Sequence, residues 1–192
     1  MEEKELTPDE SFALIASIIS EAKLKFEENG LIYVMWGILV SIAAFSQYYL
    51  LQNGYEEVNY YPYFLMPLGG IFSFFYYGRK KQTNKSNGHL AKVISTSWIT
   101  IGLNVLILGF LFGASLGASL IPMILILIGI GITIAGIILQ YRLLFLAGIT
   151  MNIIGLAGFS VDYIQQPLLL GIANLLCVLL PGILLMRRHK NK

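Results

Sequence analysis

Charge is what this sequence has least of. Asp, Glu, Lys and Arg make up 12% of its 192 residues, against 56% hydrophobic, whereas soluble domains carry about 25% charged residues. So little charge cannot cover a water-soluble globule, which excludes an ordinary soluble enzyme; the apolar excess equally excludes disorder and collagen. Cysteine is nearly absent. Cys177 is the only one and lies inside an apolar run, so no intrachain disulfide forms and no disulfide scaffold is available. The leading residues, Met1-Glu2-Glu3-Lys4-Glu5, lack the positive charge of a cleavable signal peptide, and the first apolar span is expected to act as an uncleaved membrane signal. Catalytic motifs are missing too: there is no HExxH, GxSxG, P-loop or CxxC. His89 and His189 stand in basic segments without acidic neighbours and read as solvated loop residues, and Glu56-Glu57 has no companion cluster of ligands. No enzyme activity, catalytic residue, metal site, cofactor or nucleic-acid partner is expected.

What is present is a series of long apolar runs. A membrane-crossing helix needs about 20 mainly apolar residues, and six segments meet that length: 31–51, 60–78, 93–113, 120–140, 143–161 and 165–186. The third and fourth come from one run of 49 uncharged residues between Lys92 and Arg142, with the break placed at Gly113-Ala114-Ser115-Leu116-Gly117. Helices are the element expected, because backbone in lipid must satisfy its own hydrogen bonds and the alternation of a barrel strand is absent. The fold class is therefore an all-α, six-span membrane bundle (31–186), preceded by a cytoplasmic amphipathic helix (1–30) and followed by a basic tail (187–192).

Orientation follows from the bases. Arg79, Lys80, Lys81, Lys85 and Lys92 lie in one connection, Arg142 in another, and Arg187, Arg188, Lys190 and Lys192 in the tail. The alternate connections contain no base but hold Glu56, Glu57 and Asp162. Six crossings bring every basic segment to one side, so both termini are expected in the cytoplasm. Tyr33, Tyr76, Tyr77 and Tyr141 fall near that interface, and Tyr48, Tyr49, Tyr60, Tyr61 and Tyr163 near the outer one, the depth at which tyrosine anchors a span.

The front end carries a helix signature. Thr7-Pro8-Asp9-Glu10 is a capping box with proline at the first helical position, and Asn29-Gly30 is a plausible stop. Phe12, Ile15, Ile19, Ala22 and Phe26 recur at three- and four-residue spacing and share a face. Eight acids and three bases in residues 1–30 oppose docking on anionic lipid. The face is expected to pack on the chain's own basic loops, or on a protein partner or second copy.

Within the spans no ionisable residue lies deep, which argues against a proton pump or a carboxylate-coupled antiporter. The midplane polar groups are Asn104, Asn152 and Asn174. They read as interhelical hydrogen-bonding groups, or alternatively as the polar layer of a carrier or channel for a small neutral solute. Gly109, Gly113 and Gly117 form overlapping GxxxG spacings; Gly129, Gly131 and Gly136 follow in the fourth span, and Gly148, Gly155 and Gly158 mark the fifth as a central helix. Pro67-Leu68-Gly69-Gly70 and Pro181-Gly182 are breakers that can kink their spans.

Four segments carry a resemblance. Glu5-Leu-Thr-Pro-Asp-Glu-Ser-Phe-Ala-Leu-Ile15, Met35-Trp36-Gly37, Gly136-Ile-Ile-Leu-Gln-Tyr-Arg-Leu143 and Leu180-Pro181-Gly182 together resemble a family of uncharacterised multi-pass membrane proteins from Bacteroidetes, often encoded beside small winged-helix regulators. The resemblance implies a bacterial inner-membrane location and brings no catalytic residues with it. The expected role is that of a non-enzymatic accessory or signalling protein.

Overall fold

The computed structural model describes residues 7–27, 30–83 and 89–190, with side chains for 7–17, 30–76 and 92–187. Helix α1 (Pro8–Glu27) opens on the expected capping box. The Glu10 N–H donates to Thr7 Oγ1 (3.3 Å), while the Thr7 N–H and hydroxyl donate to Glu10 Oε2 (2.9 and 3.0 Å), so donors orphaned at a helix start are satisfied reciprocally. Helix α2 (Gly30–Gln52) follows, then 3-10 turns at Glu56–Val58 and Tyr61–Leu65, α3 (Met66–Thr83) and α4 (His89–Leu111). A single turn, α5 (Gly113–Leu116), and a 3-10 turn lead to α6 (Leu120–Ile138) and α7 (Arg142–Gly158). The last rod is α8 (Gln166–Asn174), a π turn (Leu175–Leu179) and α9 (Leu180–Lys190). There is no strand among the described residues.

Four stretches are long and apolar enough to cross a membrane: Gly30–Gln52, Lys92–Leu111, Gly113–Ile138 and Gln166–Arg187. The fifth expected span is the apolar but shorter α7, of 17 residues. The second begins as a 3-10 segment, and α3 ends in a run of bases, so it does not reach that standard. The long uncharged run is interrupted at Phe112, one residue before the expected break, and the backbone turns again at Gly117. Gly117 takes φ +48° there, a left-handed value that glycine adopts without a Cβ penalty. Gly30 opens α2, and Asn29, the other residue of the expected stop, lies outside the described residues.

Two antiparallel helix pairs build the core. In α6–α7, Gly129 lies on Asn152, Gly136 on the Leu144–Phe145 backbone, Gly148 on Thr133 and Gly155 on Leu125–Ile126. In the second pair, Gly30 lies on Gly182 and Met186, Gly37 on the Leu179 backbone, and Gly171 on the Phe45 ring. Gly129/Gly136, Gly148/Gly155 and Gly30/Gly37 are each seven residues apart. That is two turns at 3.5 residues per turn, which keeps both on one seam of a shallow left-handed crossing. Without a hydrophobic drive between helices in lipid, such close backbone approach supplies the dispersion contacts that hold them. Leu125, Ile132, Leu144, Met151 and Leu170 belong to one buried apolar cluster contributed by both pairs.

Of the two breakers, Pro67 sits in the first turn of α3, where its missing N–H costs nothing. Pro181 is interior and cannot donate to the Cys177 carbonyl. The chain widens just before it: the Leu180 N–H reaches back five residues to the Leu175 carbonyl, relieving the clash of the proline ring with the preceding turn.

The remaining helices are peripheral. Helix α3 rests on Trp36, whose Nε1–H donates to Ser73 Oγ (3.1 Å) and whose ring covers Gly69. Helix α4 leans on α6 through Trp98 and Ile101 at Gly131, and no residue of its apolar stretch is buried. Tyr33 is buried in the core, meeting Trp98 edge-on at 5.9 Å. These contacts bring Lys92, Arg142 and Arg187 to the Gly30 end of the bundle. Glu56, Glu57 and Asp162 lie at the other end, where Asn59 meets Gln47 and Pro122 meets Gly158. Helix α1 lies against α4 and α9.

Candidate functional site

Asn174 ends α8, directly before the π turn, and is 2% exposed. Its Nδ2 donates to the Gly37 carbonyl at 2.7 Å and to Ser41 Oγ at 2.9 Å, both on α2. An amide nitrogen has two hydrogens, and both are used. Ser41 Oγ in turn donates to the Gly171 carbonyl at 3.5 Å, the long limit of such a bond. The approach of Gly37 to Leu179 and of Gly171 to α2 brings these polar groups within reach in an apolar interior. This is the interhelical role expected of a membrane asparagine.

The other two asparagines behave differently. Asn152 Nδ2 donates to the Gly148 carbonyl (2.8 Å) of its own helix, and its amide packs on Gly129. Asn104 Nδ2 donates to the Thr100 carbonyl (2.8 Å), also within its own helix, and the side chain is exposed. No hydrogen bond joins any two of the three, so they form no single polar cluster.

A second polar group, not singled out from the sequence, sits at the acidic end. Tyr63 Oη donates to Gln47 Oε1 (2.9 Å), Gln47 Nε2 donates to Asn59 Oδ1 (2.8 Å), and Asn59 Nδ2 donates to the Glu56 carbonyl. Gln47 and Asn59 are buried. Each bond uses a different atom, so the chain of bonds pins the 56–65 connection onto α2. The available signal was Gln47, a lone amide near the end of an otherwise apolar span. Nearby, Gln166 Nε2 donates to the Gly158 and Val161 carbonyls (3.3 and 3.1 Å), closing the end of α7.

At the basic end, the first half of α1 presents Phe12, Leu14 and Ile15 to solvent at 72, 49 and 54% exposure. The rest of the expected docking face, Ile19, Ala22 and Phe26, lies outside the described side chains, as do His89 and His189. Thr7 holds the Glu10 carboxyl below the ordinary carboxylate range, first through its backbone N–H and then through its hydroxyl. The GxxxG glycines contribute no close helix contact. A Cβ at Gly109 or Gly117 would have no neighbour within 4 Å, and one at Gly113 would meet Leu120 at an ordinary 3.6 Å. Among the described residues, no group of three or more His, Cys, Asp or Glu side chains stands together to hold a metal ion.

Compared with protein families, curated proteins and solved structures, the chain matches none.

Proposed function

We propose that this is a non-enzymatic integral protein of a bacterial inner membrane, crossing it six times with both termini in the cytoplasm, and that α1 is its docking element in an accessory or signalling role. The observation that carries this reading is the capped, acidic α1, whose leading apolar face stays uncovered at the basic end of the bundle. The six crossings are supported by lengths. The five 3-10 residues Tyr61–Leu65 rise about 10 Å and Met66–Gly78 about 20 Å more, which together match a hydrocarbon core of about 30 Å. Helix α7 meets the lower limit of about 17 residues. The bacterial location rests on the family resemblance and the placement of bases.

The alternative reading, a carrier or channel for a small neutral solute, gains no support from Asn104, Asn152 and Asn174, which bond separately. Cysteines introduced at those positions would test it: water access from either side at all three would favour transport over docking.

The topology is tested by single cysteines in a Cys177→Ser background. Glu57→Cys and Asp162→Cys should react with an impermeant maleimide from outside, and Arg187→Cys only after permeabilisation. Labelling of Glu57→Cys and Arg187→Cys from one side would overturn the six-crossing reading. Docking is tested by proteolysis in native membranes. Residues 10–28 should be protected, and free cleavage there would overturn a docking role.

A further inference from the structure

We infer that the leading half of α1 docks on the basic face of a second copy of this chain; the inference rests on the docking reading above and names its partner. Three observations lead to it. The apolar side chains Phe12, Leu14 and Ile15 are exposed although α1 already lies against α4 and α9 of its own bundle, so among the described residues nothing in the chain's own fold covers them. Residues 1–17 carry five acids and one base. The segments 79–92, 142 and 187–192 carry ten bases and no acid, and their described members Lys92, Arg142 and Arg187 stand at the end from which α1 emerges.

Copies sharing a membrane share an orientation. The acidic helix of one copy and the basic face of the next therefore lie at one level on one side, and association needs only lateral diffusion. Complementary potentials favour that encounter and set its register, while burial of Phe12 and Ile15 supplies the apolar contact. Anionic lipid is the weaker competitor, since it repels the same acids.

The test uses the full chain in vesicles, with Cys177→Ser throughout. One copy carries Phe12→Cys and one tag; the other carries Arg187→Cys or Arg142→Cys and a second tag. Oxidation should give a disulfide between differently tagged copies. Its yield should fall several-fold between about 0.05 and 0.5 M salt, because exposed charges are screened over a shrinking Debye length. It should also fall on Asp9→Lys/Glu10→Lys substitution. Phe12 is exposed, so its replacement leaves the fold intact, and dye labelling of the unoxidised protein checks this.

A disulfide formed only when both cysteines are in one copy would overturn the second-copy inference while leaving docking standing. Protection of Phe12→Cys in cells but not in vesicles of purified protein would also overturn it, in favour of a separate protein. Full labelling with no cross-link anywhere would overturn both the inference and the docking reading.

Discussion

Substituting alanine for the seam glycine Gly136 tests whether backbone contact holds the bundle together. A Cβ at Gly136 would collide with the Phe145 nitrogen and stand 2.7 Å from Phe145 Cα and 3.0 Å from the Leu144 carbonyl carbon. All three atoms are backbone, so no side chain can swing aside, and α7 must retreat by about 1 Å to restore ordinary contact distances. Overpacking of this kind costs about 1–3 kcal/mol. The better helix propensity of alanine returns about 0.5–1 kcal/mol. The net expectation is a loss of about 0–2.5 kcal/mol, centred a little above 1. Gly109→Ala is the internal control. Its Cβ would have no neighbour within 4 Å, so only the propensity gain remains and the variant should be slightly stabilised.

Cys177 gives the assay. It is the sole thiol and is 2% exposed, so a thiol-reactive dye reports opening of the bundle as detergent-solubilised protein is heated. Gly136→Ala should open several degrees below the parent, and Gly109→Ala at or above it. Gly148→Ala, whose Cβ would meet the Thr133 backbone at 2.5 and 2.8 Å, should resemble Gly136→Ala. The double variant should cost less than the sum, since one separation of α6 from α7 relieves both clashes. A Gly136→Ala protein as stable as the parent, or a Gly109→Ala protein equally weakened, would refute the seam argument.

Asn174→Ala should cost about 1–3 kcal/mol, because it removes two donors that average about 0.6 and reach about 1.7 kcal/mol each in membrane interiors. A thermal double-mutant cycle with Ser41→Ala should show less than additive loss. Tyr63→Phe removes the 2.9 Å bond to Gln47 and should loosen the 56–65 connection by about 0.5–1.5 kcal/mol. Faster amide exchange there, with little change in global unfolding, is the expected signature. Because the folded-state Glu10 carboxyl is held below its ordinary range, its contribution to α1 is present above its unfolded pKa and is lost as pH falls through the folded value. Amide protection at Glu10 to Phe12, taken relative to the intrinsic exchange rate at each pH, should therefore fall on acidification, and Glu10→Gln should remove most of that pH dependence.

The parts legible in the sequence were those set by local chemistry. The capping box at Thr7–Glu10 depends on residues three apart, and the break at Gly113–Gly117 on a backbone conformation that glycine permits. Apolar runs announced themselves by length, although Met66–Thr83 and Arg142–Gly158 show that a run can be apolar and still fall short as one regular helix. The fifth span was marked as central by its glycines, and Gly148 and Gly155 do line the α6–α7 seam. What the sequence hid was partnership. Gly109-x-x-x-Gly113 looks like a packing motif, yet three pairs of the glycines that touch another helix are spaced by seven residues (129/136, 148/155 and 30/37), and only the facing helix distinguishes the two. The asparagines shared depth but not direction: Asn174 faces α2, whereas Asn104 and Asn152 bond within their own helices. Gln47, Asn59 and Tyr63 come together only after a turn of irregular backbone, which no periodicity encodes.

The pairing of α2 with the last rod has a consequence for biogenesis. Gly37 and Asn174, which share a hydrogen bond, are 137 residues apart in the chain. At about 5–20 residues per second, roughly 7 to 27 seconds of synthesis separate them. Throughout that interval the glycine seam and Ser41 of α2 lack their partners on the last rod, while α6 and α7, joined by a short turn, have each other as soon as both are made. A chain that stops before residue 166 thus has one finished pair and an α2 that holds only α3 and the 56–65 connection. Its Gly37 carbonyl and Ser41 hydroxyl face an apolar interior without the Asn174 amide that both of them meet in the finished fold.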